Sequence, residues 1–417
     1  MAHLLVIELP GGNDGDILSA AIIRGDRFSF IAANLTHYKC QSALNELLSD
    51  AERLIEIDLD DHLVVDETLI SIHQNDPFDA ILCLLDLRLR DAARISSLFG
   101  LPHISFDVAC LLRDKFSVRE KLADNLIKQP DFRLALSNDD LKMAVQEIGL
   151  PVLIKPSDGF GSQNIAILRN ENDLEPWLSP LEDMLPSRVD YGLGIKANDR
   201  LLVERYMEGQ LIGCDFISAN GQHRMLGLNE KLMFAPPSFA IKGGCFTPYD
   251  ETMDAIRAYA AHCLDAVGFN YGASHIEIML THEGPRLVEI NGRLVGARIA
   301  RLMNYALGYS VHETLVDLHV SGILPTEPDT PRRVAVSRWL VSPQEGVLDH
   351  IQLPQMKHDA IQEVAMFKKS GDLIGPAYEN AQRLGYVMVA SKSQEEADAI
   401  ADAYIEACSI TISELPS

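Results

Sequence analysis

Short apolar runs alternate with helically spaced apolar residues along the first 110 positions. HLLVIEL, RFSFIAAN, RLIEID, AILCLL and LPHISF have the length and composition of strands, and ILSAAIIRG, CQSALNELLSD and LRDAARISSLFG carry their apolar side chains at helical intervals. This alternation predicts an α/β chain that begins with an open parallel sheet. A second unit starts near Cys110. RDKFSVREKL reads as helix, PVLIKPSDGFGSQNIAIL as strand, loop and strand, and RLLVERYMEGQLIGCDFIS as an apolar strand that breaks at Glu204 and resumes beyond Gly209. Between 170 and 200, Pro176, Pro180 and Pro186 leave one helix around DLEPWL and an irregular connection. ETMDAIRAYAAHCLDAVGFN is an amphipathic helix stopped by Gly268, and ARIARLMNYALGYSVHETLVDLHVSG continues as helix. After the linker composition of PTEPDTPRR, four runs (RVAVSRWLVS, HIQLPQM, AIQEVAMFK, YVMVASK) predict strands and SQEEADAIADAYIEACSI a closing helix. The expected division is an N-terminal open-sheet domain over 1–110, a core over 111–322 and a small C-terminal α+β domain over 323–417. A length of 417 residues suits two or three domains.

HIEIMLTHEGPRLVEIN predicts a hairpin whose faces differ in chemistry. Period-two alternation puts His275, Glu277 and Met279 on one face of the first strand and Leu287, Glu289 and Asn291 on one face of the second. With the turn centred on Glu283, Glu277 opposes Glu289. Like charges facing each other across a strand pair are destabilising, so they need water around both or a cation between them. Asn291 adds a neutral oxygen, and two carboxylates with an amide suit magnesium or manganese. A solvated acidic face is the bland reading of an arbitrary Glu pair. The tight EINGR cluster favours the metal, with Gly292 letting the backbone turn and Arg293 following at once.

Other residues suggest phosphate chemistry. Lys115 and Arg119, four apart on a helix, repel each other unless an anion or acidic partner lies near. Lys155 ends an apolar run, and Gly159, Gly161 and Ser162 form a loop whose amides suit phosphate oxygens. It is not a Walker loop, since GK[ST] is missing and a strand follows. PGGNDGD likewise lacks the GxGxxG spacing of a dinucleotide site, because its glycines stand at Gly11, Gly12 and Gly15. The net charge of −24, from 60 acidic and 36 basic residues, excludes a basic footprint for nucleic acid or anionic membrane. No apolar stretch approaches a bilayer span, MAHLLVIEL lacks a basic leader region, and seven cysteines form no CxxC pair, so a cytoplasmic protein with reduced thiols is expected.

With HIE upstream, EINGR resembles the metal-binding signature of the ATP-grasp superfamily, and the strand–glycine loop of 151–168 is similar to that family's phosphate loop. The resemblance covers nearly the whole chain and implies a three-domain ATP-grasp architecture. It implies ATP with Mg2+ (or Mn2+) held by Glu277, Glu289 and Asn291, and phosphates reached by Lys115, Lys155, Gly159, Gly161 and Ser162. Adenine would lie against backbone near Glu204 and Tyr206. Leu211 departs from the pattern, standing where an acid grips the ribose, with Glu208 or Asp215 as substitutes. LGLNEKLMFAPPSFAIKGGCFTP resembles the segment leading to an acceptor site, which makes Lys231, His275, Arg293 and Arg298 candidates for substrate contact and Arg293 for catalysis. The chain looks most like the L-amino acid ligases. That implies an ATP-dependent carboxylate–amine ligase acting on small molecules through an acyl phosphate, and leaves a homodimer open. Two other readings remain: a bicarbonate-using enzyme resembling biotin carboxylase or the carboxyaminoimidazole synthetase, and a nucleotide-binding protein without turnover.

Overall fold

The computed structural model describes residues 1–10, 15–159, 165–178, 200–234, 241–296, 298–376 and 382–414. Strand β1 (His3–Ile7) leads through α1 (Asp16–Ile23) to β2 (Arg27–Ala32). Helices α2 (Leu35–Lys39) and α3 (Ser42–Leu48) lead on to β3 (Arg53–Glu56), and α4 (His62–Asn75) to β4 (Ala80–Cys83). The strands form a parallel sheet in the order β3-β2-β1-β4, as the alternation predicts. Helix α4 lies outside the predicted elements although its signal is present. Asp61 caps it by accepting the Val64 N–H, and Val65 and Leu69, four apart, are buried. Helices α5 (Leu89–Phe99) and α6 (Phe106–Leu112) follow. LPHISF forms no strand: Pro102 has no ladder donor, and the Ser105 hydroxyl accepts the Val108 N–H to start α6. At the carboxyl edge of the sheet, Glu8 beyond β1 accepts Arg88 Nε at 2.9 Å, joining the ends of β1 and β4 where open α/β sheets place ligands.

Helix α7 (Lys115–Asp124) opens the second unit. Next come β5 (Phe132–Ala135), α8 (Asn138–Ile148), β6 (Val152–Pro156), β7 (Ala166–Leu168) and β8 (Leu201–Arg205). They make an antiparallel sheet ordered β5-β8-β6-β7, against which α8 packs Leu141, Val145 and Ile148. The stretch around DLEPWL is a 3-10 helix over Glu171–Leu178 rather than an α-helix, because Pro176 removes an N–H and crowds the preceding turn. Pro180 and Pro186 lie outside the described residues, as do Gly11 and Gly12.

The third unit is built from β9 (Gln210–Ala219), β10 (Gln222–Met233), β11 (Ile241–Pro248), α9 (Asp254–Val267), β12 (Gly272–Thr281) and β13 (Gly284–Asn291). Two helices follow, α10 (Ile299–Leu307) and α11 (Val311–Ser321), where the apolar period predicts one. Gly308, at φ 76°, ends the first in a left-handed cap, and Ser310 starts the second by accepting the Glu313 N–H. The tail adds β14 (Val334–Val341), β15 (Gly346–Gln352), β16 (Ile361–Met366), β17 (Leu373–Ile374), β18 (Arg383–Ser391), α12 (Gln394–Glu406) and β19 (Ser409–Ser413). The closing helix is thus shorter than predicted. Its last residues alternate in exposure and form β19, which pairs with β15. Strand β14 pairs with β11, so tail strands extend the sheet of the core to the order β13-β12-β9-β10-β11-β14-β18-β16. One apolar core runs under this sheet and the N-terminal sheet together. Among the described residues no helix is long and apolar enough to cross a membrane.

Candidate active site

The hairpin β12–β13 brings the acids together, but by a different route from the predicted one. Its turn has two central residues, His282 and Glu283, and pairs Thr281 with Gly284 and Ile278 with Leu287. The count then shifts by one, because Val288 is an extra residue, a β-bulge, and Glu277 faces Glu289 beyond it. The turn therefore sits half a residue earlier than predicted, and the bulge restores the opposition. The bulge also corrects a face: Leu287 lies with Ile278 in the core, not with Glu289 and Asn291. Its N–H, diverted from the ladder, donates to Tyr259 Oη at 2.8 Å. The Val288 carbonyl accepts Arg119 Nη2 at 3.1 Å and Lys155 Nζ at 3.4 Å.

Each acid has a lysine beside it. Lys231 Nζ, from β10, lies 2.8 Å from Glu277 Oε1, and Lys115 Nζ, at the start of α7, lies 2.9 Å from Glu289 Oε1. Burial pushes the Glu277 carboxyl up, but the hydrogen bond from His275 and the charge of Lys231 outweigh it and hold it far below the usual carboxylate range. His275 Nδ1 is 3.0 Å from Asp215 Oδ1, and Asp215 in turn accepts Asn229 Nδ2. Burial lowers the His275 pKa, and the Asp215 charge overcomes this to raise it to about 9. Gly213 makes room for the cluster, since a Cβ there would meet Asn229 and His275 at 2.5 Å. Asp215 is thereby spent inside the sheet and stands in for no ribose-binding acid, whereas Glu208 is exposed. Asn291 pairs with His275 in the ladder.

A buried ion group lies between the hairpin and the second sheet. Glu204 of β8, 3% exposed, is 2.7 Å from Lys155 Nζ and 2.5 Å from Arg119 Nε. The like-charged pair Lys115 and Arg119 thus has the acidic partners its spacing calls for, Glu289 and Glu204. Burial draws the Lys155 pKa below its ordinary 10.5, opposed by the Glu204 charge. Lys115 also donates to the Gly159 carbonyl at 2.6 Å, and its own N–H to the Ser157 carbonyl at 2.8 Å, so the glycine loop and α7 are tied at both ends of one residue. Gly161 and Ser162 lie outside the described residues. Tyr206 donates its N–H to the Pro151 carbonyl at 3.1 Å, with the Arg169 guanidinium 5.3 Å from its ring.

Arg293 is anchored across domains. Its Nε donates to Asp86 Oδ2 at 2.6 Å, Nη2 meets the same carboxylate, and Nη1 donates to the Leu294 carbonyl at 2.8 Å. Asp86 follows β4, 2% exposed, and nothing in the sequence pairs it with a residue 207 positions on. Gly292 stands in a bend directly after β13, as expected, and is closely packed as well. Its φ is not positive, and a Cβ there would press on Leu89 at 3.0 Å and Leu112 at 3.2 Å. Arg298, in the left-handed region at φ 65°, stacks over Phe367 at 4.7 Å and donates to Tyr386 Oη at 3.0 Å. The structure thus gathers Lys115, Lys155, Glu204, Lys231, His275, Glu277 and Glu289 around the bulged hairpin and sets Arg293 at its end. Sequence reasoning missed Asp86 and Asn229 as partners. An Asp directly beyond a sheet strand and an Asn in the run LNEKL were the available signals.

Known proteins resemble this chain in two domains and in overall fold. Residues 148–301 match the ATP-grasp domain, and residues 338–413 match the L-amino acid ligase C-terminal domain 2. The L-arginine-specific L-amino acid ligase of Bacillus subtilis is 23% identical, covering 76% of this chain and 72% of that protein. Dapdiamide A synthase of Enterobacter agglomerans is 26% identical, with 69% of each chain covered. An uncharacterized protein of Sinorhizobium fredii, 24% identical over 72% of this chain, is matched over only 61% of its own length. The crystal structure of L-amino acid ligase from Bacillus licheniformis superposes with a TM-score of 0.79 over 99% of both chains, at 17% identity. The chain therefore carries an ATP-grasp domain over residues 148–301 and an L-amino acid ligase C-terminal domain over residues 338–413.

Proposed function

We propose that the protein is a cytoplasmic, ADP-forming ligase that joins a carboxylate, an L-amino acid, to an amine through an acyl phosphate. The observation that carries this reading is the facing pair Glu277 and Glu289 on a bulged hairpin, with Asn291 beside them and a lysine ammonium on each acid. This donor set fits magnesium, which on binding neutralises phosphate charge and polarises the transferred phosphoryl group. Among the described residues no three His, Cys, Asp or Glu side chains gather as an all-protein cage. In the division 1–110, 111–322 and 323–417, the middle domain supplies the nucleotide site and the outer two close it.

Lys155 and Lys115 hold phosphate oxygens with the loop of Gly159, Gly161 and Ser162, and the backbone around Glu204 and Tyr206 flanks the adenine. Lys115 and Lys231 neutralise the acids in this structure and would turn to anionic oxygens of phosphate and substrate if magnesium were held there. Arg293, aimed by Asp86, stabilises the oxyanion as the amine nitrogen bonds to the acyl carbon and phosphate leaves. His275 and Arg298 line the substrate side. Positioning and charge neutralisation carry most of such a reaction. Bicarbonate is the runner-up carboxyl source, and the match of the tail to an amino acid ligase domain favours the ligase.

ADP release with pairs of L-amino acids, set against bicarbonate, tests the proposal: turnover with bicarbonate alone overturns it. Glu277→Gln and Glu289→Gln should each cut ATP-dependent turnover by roughly 10–100-fold, on the scale of damaged metal sites. Wild-type rates for both at ordinary magnesium would sink the metal assignment. Lys155→Ala should weaken ATP binding by about tenfold or more, as for loss of one charged hydrogen bond. Unchanged nucleotide affinity by calorimetry counts against that role.

A further inference from the structure

A small, largely enclosed cavity of about 20 Å³ lies where the end of β4, the segment before α6, the start of β12, the bend after β13 and α11 meet. Most polar groups on its wall are spent inside the protein. Tyr271 Oη donates to the Leu318 carbonyl at 2.6 Å, and Cys83 Sγ to the Leu85 carbonyl at 3.3 Å. Burial lowers the His103 pKa to about 4, so the ring is neutral at ordinary pH, and its Nδ1, 3.3 Å from the Ile104 carbonyl, is the protonated nitrogen. His319 of α11 is the exception. It is 5% exposed, its ring packs edge-on to Tyr271 at 5.2 Å and beside His103 at 5.8 Å, and its Nδ1 has no hydrogen-bond partner among the described residues. Buried polar atoms rarely go unsatisfied, because that costs stability, so one on a cavity wall points to a partner within the cavity.

Size decides the partner. An internal water needs roughly 10–15 Å³ and a few polar neighbours, so the cavity holds one such molecule and nothing larger. In so small a space every wall residue is in reach of the same water, and one wall residue is Arg293. Asp86 and the Leu294 carbonyl take one N–H from each nitrogen of its guanidinium, so Nη1 and Nη2 each keep a second N–H for another acceptor. A water that donates to His319 Nδ1 can accept from one of these and so tie α11 to the arginine. The role that follows is orientation, not proton transfer. Burial and the neighbouring His103 lower the His319 pKa to about 3, which leaves the ring uncharged at neutral pH and too weak a base to take a proton from a substrate ammonium.

We propose that this cavity is a binding site for one internal water that bridges His319 Nδ1 and an Arg293 N–H, which makes His319 a positioning residue for the ligase step. The inference rests on the oxyanion role proposed for Arg293 and extends it to a side chain of α11. His319→Phe keeps the volume of a ring and removes both nitrogens, whereas His319→Asn puts an amide atom near the place of Nδ1. In ADP release by the whole chain with the best carboxylate and amine, His319→Phe should lower kcat by about tenfold, the scale of one hydrogen bond, with KM for ATP near wild type. His319→Asn should recover most of that loss. In an Arg293→Lys background His319→Phe should cost little more, because both changes act through one guanidinium. A crystal structure of the wild type should show a water within about 3 Å of His319 Nδ1, and His319→Phe should lose it. A dry cavity in the wild type, unchanged kcat in His319→Phe, equal losses in the two His319 variants, or a loss that adds fully to that of Arg293→Lys each overturn the bridge. A water in place in a chain that releases ADP with no pair of carboxylate and amine upholds the site, but removes the ligase reading and the positioning role with it.

Discussion

Glu204→Gln should destabilise the protein by about 3–5 kcal/mol at neutral pH, the cost of stranding buried charge. Glu204 is the only carboxylate within ion-pair distance of both Arg119, 1% exposed, and Lys155, 5% exposed, among the described residues. Lys155 can shed its proton once the acid is gone, since burial already lowers its pKa. Arg119 cannot, and a neutral amide with the Val288 carbonyl is a poor replacement. The pH dependence follows from the Glu204 pKa. Burial raises it, but the charges of Arg119 and Lys155 prevail and depress it from 4.5 to about 2. A group depressed in the folded state stabilises fully above its unfolded pKa and loses that contribution as pH falls through the folded one. The gap between wild type and Glu204→Gln should therefore be widest above pH 4.5 and close as pH falls toward 2. Urea unfolding across that range measures it. A variant within ~1 kcal/mol of wild type at pH 7 would show that the triad is not stabilising as argued. Replacing all three with apolar residues of similar volume should restore stability and abolish nucleotide binding, separating the structural cost from the functional one.

The hairpin was legible because period two and a short turn act over neighbouring residues, and the N-terminal parallel sheet because its helices and strands alternate cleanly. The bulge was not. One extra residue at Val288 leaves the hydrophobic pattern of RLVEIN almost unchanged, yet it moves Leu287 into the core and turns the Val288 carbonyl toward Arg119 and Lys155. The predicted opposition of Glu277 and Glu289 held because a turn displaced by half a residue and a bulge of one residue cancel. Partners far apart in the chain were beyond reach for a different reason. Arg119 meets Glu204 across 85 positions and Arg293 meets Asp86 across 207. Such pairs depend on how whole sheets pack, which local periodicity does not encode. The break between α10 and α11 was readable in principle. Gly308 followed by Ser310 is a stop and start signal, but the apolar period runs through it and hides the break.

Arg293→Lys should lower kcat/KM by about 2–4 kcal/mol, the scale of losing one preorganised oxyanion donor, while ATP affinity stays near wild type. Asp86 takes Nε and Nη2 of the guanidinium, and Nη1 is turned to the Leu294 carbonyl, so three nitrogens define one orientation. A lysine reaches one of those acceptors at a time, and its point charge has no fork to hold direction. The change also leaves Asp86, itself 2% exposed, with fewer hydrogen bonds, so thermal unfolding belongs beside the kinetics to separate lost structure from lost chemistry. Asp86→Asn keeps the shape and removes the charge that aims the arginine. It should lower kcat with little change in nucleotide affinity, and in the same direction as Arg293→Lys, because both disturb one pair. The two effects should also fail to add in the double variant, as expected for side chains in direct contact. The measurements are nucleotide binding by calorimetry and ADP release with the best carboxylate and amine. A variant that loses nucleotide binding while bound substrate turns over normally would place Arg293 in the ATP site, and the role assigned to it here would be wrong.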